Sequence, residues 1–169
     1  MKIATVTTEH LNLRPFTTAD AATMHQIING KDVLQYFPGN QSVTREQVQG
    51  MIKRINAGWQ EKEYGLWAVE LRSTNTLLGR CGLQYIAETD EVEIDFILDR
   101  NYWGRGFATE AGKASLQFGF NTLQLPMIVG IVHPENIASQ RVLEKIGLQF
   151  VEETEYFGMA CLKFEGKRP

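Results

Sequence analysis

The alternation of apolar and polar residues divides this chain into a run of strands followed by mixed elements. A first strand is predicted at 11–16. Alternating segments joined by short polar turns then favour an antiparallel meander, with strands predicted at 66–71, 77–86 and 92–98. After residue 98, segments with the apolar spacing of a helix alternate with segments that have the spacing of a strand. This predicts helices at 108–123 and 136–145 and strands at 127–132, 150–156 and 159–164. Together they predict an α+β (mixed α/β) fold: a mixed, mostly antiparallel sheet with helices on both faces.

Two more helices are predicted near the N-terminus, each from a capping-box signature. Thr17 with Asp20, and later Thr44 with Gln47, each precede apolar residues at helical spacing. Between these helices the apolar run 33–39 ends in a Pro-Gly pair, so we interpret it as a loop with exposed aromatic side chains.

Composition narrows the class of protein. The 169 residues, 43% hydrophobic and 22% charged, predict one globular domain over 1–169. The net charge of −3 argues against a nucleic-acid or anionic-membrane partner. No apolar run has transmembrane length and the first residues lack a signal peptide's apolar core, so we expect a cytoplasmic protein. Cys81 and Cys161 stand apart and the three histidines are scattered, so no metal site is expected.

The most informative segment is a glycine-rich turn, at 99–111, that leads from a strand into a helix. Backbone N–H groups at such a turn stay unpaired at the positive end of the helix dipole and bind phosphate or pyrophosphate. The turn lacks the Gly-Lys-Ser/Thr of a P-loop, and Thr109 stands where a dinucleotide fingerprint has its third glycine. We expect a pyrophosphate site; tight helix–sheet packing without a ligand is the alternative.

Three stretches of the sequence carry a resemblance to a known family. They are Leu11–Phe16, Glu93–Ala111 with its Tyr-Trp-Gly-Arg-Gly-Phe-Ala-Thr-Glu-Ala run, and Asn136–Leu148. In these stretches the chain resembles the GNAT superfamily of N-acetyltransferases, and in particular the ribosomal-protein-alanine N-acetyltransferase-like (RimJ/RimL-type) branch. The resemblance spans nearly the whole chain. It implies an acetyl-CoA-dependent transferase that acts on an amine, with the sheet splayed between its fourth and fifth strands.

The same resemblance implies a set of residues that contact acetyl-CoA. The pantetheine arm would pair with the backbone of the fourth strand at Phe96, Ile97 and Leu98. The pyrophosphate would lie on the turn and its flanks, which comprise Trp103, Gly104, Arg105, Gly106, Phe107, Ala108 and Thr109. Asn136 matches an asparagine that contacts the cosubstrate arm, and Ser139 lies one helical turn on, facing the same way.

Candidate catalytic groups lie on the fourth strand and the last crossover helix. Glu93 and Asp95 share one strand face and are the candidate bases, with a solvated strand face, or action through water, as the alternatives. Leu143 stands where many relatives of the family have tyrosine, so either Ser139 or water would protonate the departing thiolate. The resembled branch suggests Ser139 as this general acid. A helix serine without a catalytic role is its alternative. Asp95 replaces a glycine that is usual in the branch.

The acceptor is expected to be a primary amine of low pKa. Deprotonation at pH 7 costs about 1.4 kcal/mol for an N-terminal α-amine and about 4.6 kcal/mol for lysine. Neither cysteine lies in the matching stretches, which favours direct transfer without a covalent enzyme intermediate. The aromatic residues expected to wall the acceptor pocket are Tyr36, Phe37, Trp67, Tyr85 and Phe157.

Two other functions stay open from the sequence. One is an acetyltransferase that modifies an antibiotic or a polyamine on the same fold, and the other is an acyl-CoA-binding sensor without turnover. A homodimer through an edge strand or the C-terminal strands is a further possibility that the sequence leaves open.

Overall fold

Eight strands and four helices make up the computed structural model, which describes residues 2–169. The strands are β1 (Val6–Thr7), β2 (Leu11–Arg14), β3 (Leu66–Leu71), β4 (Thr76–Ile86), β5 (Glu91–Leu98), β6 (Met127–Val132), β7 (Gln149–Tyr156) and β8 (Met159–Lys167). The helices are α1 (Ala21–Ile28), α2 (Arg45–Lys62), α3 (Phe107–Gln117) and α4 (Ile137–Lys145). No helix within the described residues is long and apolar enough to cross a bilayer.

The strands form one mixed sheet in the order β1-β2-β3-β4-β5-β6-β8-β7. Neighbouring strands are antiparallel except β5 and β6, which are parallel and pair only at Glu93 with Val129. Beyond that single bridge the two strands separate. The predicted mixed, mostly antiparallel sheet is confirmed, and the gap between β5 and β6 is the expected splay. The short β1 shifts the strand count by one.

Helices cover both faces of the sheet, as the sequence predicts. On one face α3 and α4 contact each other, and their apolar side chains join a large core that includes Leu83, Ile128 and Phe164. On the other face α1 and α2 pack together over a second core, which includes Met24, Ile52 and Ile97. The residues of β5 therefore divide between two buried layers.

Local signals in the sequence set the helix ends. At the start of α2 the N–H of Gln47 donates to Thr44 Oγ1 (3.1 Å) and the N–H of Thr44 donates to Gln47 Oε1 (2.8 Å). The N–H of Thr17 likewise donates to Asp20 Oδ2 (2.8 Å), although a short 3₁₀ turn precedes α1. Gly147, with φ of +107°, ends α4 in the left-handed conformation that a glycine adopts readily.

Several element boundaries differ from the predicted ones, most of them by one residue, while β8 ends at Lys167 instead of residue 164. Two of the differences have a clear local cause. The predicted helix 108–123 is α3 up to Gln117, and its last part, 118–122, is a π-helical turn. Apolar periodicity does not separate these two forms, because Phe118 and Phe120 continue the packing of α3 against the same core. The first predicted strand ends at Arg14, because Pro15 has no N–H for the ladder.

Glu110 anchors the start of α3 to the turn between β1 and β2. Its Oε1 accepts from Thr8 Oγ1 (2.5 Å) and from the N–H of His10 (2.8 Å), and its Oε2 lies 2.9 Å from His10 Nδ1. Partial burial opposes ionisation, yet these bonds hold the pKa of Glu110 below its usual value. The contact fixes the position of the helix N-terminus that faces the site.

Candidate active site

The turn between β5 and α3 presents a row of backbone N–H groups. Gly104 and Gly106 adopt φ of +75° and +82°, which favours glycine. The first N–H after the turn with a backbone partner is that of Glu110, which donates to Gly106 O (3.0 Å). Within the described residues, the N–H groups of 104–109 have no hydrogen-bond partner. Together with the dipole of α3 they form an anion site.

Trp103 and Arg105 flank these N–H groups in different ways. Trp103 Nε1 donates to Leu98 O (2.9 Å), which closes the turn against the end of β5. The Arg105 guanidinium lies over the ring of Tyr102, 5.1 Å from its centroid, and Arg105 does not line the adjacent cavity. Its positive charge therefore belongs to the rim of the anion site.

A cavity of about 610 Å³ opens from the turn into the gap between β5 and β6. Every predicted cosubstrate residue except Arg105 lines it: Phe96, Ile97, Leu98, Trp103, Gly104, Gly106, Phe107, Ala108, Thr109, Asn136 and Ser139. We call this the large cavity. Its volume and its continuous wall suit one extended ligand with an anionic group at the turn.

Parts of the large cavity were missed by the sequence analysis. The loop at 32–37 forms one wall, where Arg100 Nη2 lies 3.3 Å from Asp32 Oδ2 and ties the loop to the end of β5. Arg141 and Lys145 line the opposite side from α4 and add positive charge. Their four-residue spacing in a predicted helix was a signal for a shared face.

A second cavity of about 230 Å³ meets the large one. Both are lined by Tyr36, Phe37, Phe96, Asn136 and Ser139. We call this second space the small cavity. A ligand arm in the large cavity and a molecule in the small cavity therefore meet beside Ser139.

Glu93 lies in the small cavity as a buried carboxylate. It is 9% exposed, and Gln84 Nε2 donates to its Oε1 (2.6 Å). Burial, and next the negative charge of Asp95, raise the pKa of Glu93 to about 7. A carboxyl group with this pKa takes and returns a proton near neutral pH, as a general base requires.

Asp95 lines the same cavity but is bound in an ion pair. Arg80 Nε donates to Asp95 Oδ2 (2.9 Å), and both side chains are largely buried. The solvated strand face considered as an alternative is wrong, since Glu93 is buried and Asp95 is covered too. Asp95 is therefore engaged by a cation, whereas the hydrogen-bond partner of Glu93 is the neutral Gln84.

Asn136 and Ser139 lie where α4 begins. Asn136 Oδ1 accepts from the N–H of Ser139 (3.2 Å) and so caps the helix. Among the described residues neither the Ser139 hydroxyl nor Asn136 Nδ2 has a hydrogen-bond partner, and both side chains line the two cavities. Asn136 therefore places Ser139 at the junction and leaves its hydroxyl for a ligand.

Three of the five aromatic residues expected around the acceptor line the small cavity: Tyr36, Phe37 and Phe157. The expectation is wrong for the other two. Trp67 is fully buried in the core, where Nε1 donates to Ala4 O (2.8 Å), because its strand position faces the α3 side. Tyr85 lies outside and donates to Asp90 Oδ1 (2.8 Å).

The β7–β8 hairpin adds walls that the sequence analysis did not assign. Tyr156, Met159 and Cys161 reach the small cavity because β8 pairs with β6 and brings the hairpin next to Glu93. Residues so far apart in sequence carry no local signal of this contact. Tyr36 stacks on His133 at a centroid distance of 5.0 Å and covers the same region from the loop.

Comparison with known proteins assigns the family. The model of the acetyltransferase (GNAT) domain matches residues 10–149 of the chain. The chain belongs to the GNAT acetyltransferase family. It is accordingly an acyltransferase, and the enzymes of this family take acetyl-CoA and an amine as substrates.

Individual relatives agree with this assignment. The uncharacterized protein YkkB of Bacillus subtilis is 34% identical over 167 residues, 95% of this chain and 94% of its own length. The crystal structure of an acetyltransferase from Agrobacterium tumefaciens is similar with a TM-score of 0.85, 26% identity and coverage of 98% and 95%. The structure of RimL, a ribosomal L7/L12 α-N-protein acetyltransferase in complex with coenzyme A, shares the fold with a TM-score of 0.83, 15% identity and coverage of 97% and 98%.

Proposed function

We propose that this protein transfers the acetyl group of acetyl-CoA directly to a primary amine, and that the amine is a peptide N-terminal α-amine. The observation that carries the proposal is the junction of the two cavities. One contains the anion site and the open edge of β5, and the other contains the buried base Glu93. Ser139 lies in the wall of both.

The large cavity fits acetyl-CoA at three places. The free N–H groups of 104–109 suit its pyrophosphate, and the cationic side chains of Arg141 and Lys145 suit further phosphate charge. Residues 96–98 of β5 line the gap from β6, so their backbone is placed to pair with the amides of the pantetheine arm. Acetyl-CoA supplies the thioester that the amine attacks.

The small cavity fits an amine that needs a modest base. Glu93 accepts the proton of the ammonium, directly or through one water, and the neutral amine attacks the thioester carbon. A backbone N–H at the edge of β5 stabilises the oxyanion, and the Ser139 hydroxyl donates a hydrogen bond to the thiolate as it leaves. A pKa of about 7 for Glu93 suits an α-amine, with a pKa of about 8, better than lysine.

The alternatives fit the small cavity less well. The carboxylates that line it are Glu93 and Asp95, and Arg80 already neutralises Asp95, so a polyamine finds little negative charge for its second ammonium. A sensor that only binds acyl-CoA has no use for a buried base in a separate cavity. We therefore also propose the ribosomal-protein N-acetyltransferase-like branch. Free thiols at Cys81 and Cys161 agree with a cytoplasmic location, and the homodimer stays a prediction.

The test measures CoA release from acetyl-CoA with a panel of peptides and small amines. We expect turnover with peptides that have a free N-terminus. Glu93→Gln is expected to lower kcat by about 10²- to 10⁴-fold while the Kd for CoA stays unchanged, because the side chain lines only the small cavity. Tight CoA binding without turnover on any amine would refute the proposal.

A further inference from the structure

Arg80 is a largely buried cation whose hydrogen-bonding capacity is only partly used. It lies on β4 and lines the small cavity, with a side chain that is 15% exposed. Its Nε donates to Asp95 Oδ2 (2.9 Å), and its Nη1 reaches only the thioether sulfur of Met51 (3.2 Å). In the part of the chain that the structure describes, Nη2 has no partner. A guanidinium carries five N–H groups, so several remain for a ligand.

The position of Arg80 relative to Glu93 sets the size of that ligand. Asp95, which holds Arg80, lies two residues beyond Glu93 on the same face of β5, which places the two backbone positions about 7 Å apart. A ligand that bridges Glu93 and Arg80 therefore has to cover a span of this order, measured from the carboxylate to the guanidinium and including both hydrogen bonds. The N–Cα–C=O unit of an amino-acyl group has this reach once the two hydrogen bonds are added.

We infer that Arg80 binds the first carbonyl oxygen of the acceptor peptide and so selects an α-amino acyl group. The inference rests on the proposed function and deepens it, since it names what besides the amine is recognised. Arg80 is thus a specificity-determining residue that touches the substrate and takes no proton.

Charge balance in the small cavity favours a carbonyl oxygen over a carboxylate. Arg80 and Asp95 form a neutral pair, and Glu93 adds a negative charge once it has ionised. A free carboxylate would therefore be repelled by the ionised Glu93, while an amide carbonyl accepts the same hydrogen bond without that repulsion. A polyamine offers no oxygen, so it leaves the remaining N–H groups of the guanidinium without a partner.

The test compares acceptors that share the amine-bearing carbon and differ in the group that would contact Arg80. Alaninamide and an alanine-initiated tripeptide amide carry the carbonyl, isopropylamine replaces it with a methyl group, and free alanine carries the carboxylate. The kcat/KM of each is measured for wild type, Arg80→Met and the double variant Arg80→Met/Asp95→Asn, which removes both charges. Arg45→Met, at an exposed arginine outside both cavities, is the matched control.

We expect kcat/KM for the tripeptide amide and alaninamide to fall about 10- to 100-fold more than that for isopropylamine in both Arg80 variants, the range of a charge-assisted hydrogen bond. Comparing ratios across variants cancels the different pKa values of the amines. Wild type is expected to prefer the amides over free alanine; the reverse preference overturns the carbonyl assignment.

Other outcomes separate the two proposals. An equal fall for all acceptors means that Arg80 acts only through Asp95 and Glu93, which overturns this inference and leaves the proposed function intact. Turnover of no amine by wild type overturns both. Thermal unfolding of each variant establishes that it is folded, and the double variant keeps the test valid if the single one exposes an uncompensated Asp95.

Discussion

Replacing Glu93, the proposed base, is expected to make the protein more stable. Glu93 is 9% exposed, and burial raises its pKa from 4.5 to about 7. Glu93→Gln keeps an oxygen for the hydrogen bond from Gln84 Nε2 and mimics the protonated acid. The variant therefore removes the cost of an ionised carboxylate in this cavity and leaves the packing nearly unchanged.

The magnitude and its pH dependence follow from linkage. Between pH 4.5 and 7 the folded protein holds a proton on Glu93 that the unfolded chain has released, so the stability of wild type falls as pH rises through this window. The rise in pKa corresponds to about 3 kcal/mol. We expect Glu93→Gln to exceed wild type by less than about 1 kcal/mol at about pH 5 and by about 3 kcal/mol at about pH 8.5.

Urea titrations at both pH values, followed by tryptophan fluorescence, measure this difference. Trp59 and Trp67 are buried, so their emission reports on unfolding. A difference in unfolding free energy that is the same at both pH values would refute the reasoning, because it would show that burial does not penalise the charge of Glu93.

Three further predictions concern the turn and the packing. Gly106→Glu is expected to abolish CoA binding in calorimetry, because its carboxylate competes for the free N–H groups. Gly106→Gln has the same backbone strain without the charge and should keep a measurable Kd. Equal loss of binding in both variants would contradict the anion site. Trp103→Phe removes the donor to Leu98 O and is expected to weaken CoA binding by about 3- to 10-fold, while an unchanged Kd would show that the turn closes without the indole. Gly119→Ala is expected to lower the free energy of unfolding by about 1–3 kcal/mol, because its Cβ would lie 2.6 Å from a side-chain carbon of β6. Gly58→Ala, with no atom within 4 Å, is expected to raise it by about 0.5–1 kcal/mol, and denaturant titrations that reverse this order would contradict the packing argument.

Local patterns were sufficient to predict most elements of the fold. The capping box of Thr44 with Gln47 was predicted and is present, and the glycine at 147 ends α4; both signals depend on neighbours within a few residues. The alternation along β5 likewise placed Glu93 and Asp95 on one face, opposite the residues that join the α3-side core. These features require no knowledge of distant contacts.

The character of the small cavity could not be predicted in the same way. Alternation shows which face a carboxylate occupies and does not show what covers that face. Residues that line the small cavity together with Glu93 come from the loop at 33–39 and from the β7–β8 hairpin, both far from Glu93 in sequence. The pairing of Asp95 with Arg80 and of Glu93 with Gln84 depends on the register of β4 against β5, which the sequence leaves undetermined.

The gap in the sheet also bears on how the protein avoids unwanted association. A strand edge with unpaired N–H and C=O groups normally invites pairing with strands of other chains. Beyond the bridge at Glu93, β5 has such an edge, but it lies inside a cleft walled by the starts of α3 and α4 and by the loop at 32–37. Another protein's sheet cannot enter this cleft, whereas a slender linear molecule with amide groups can. The same geometry thus leaves this edge open to a narrow ligand and shields it from aggregation.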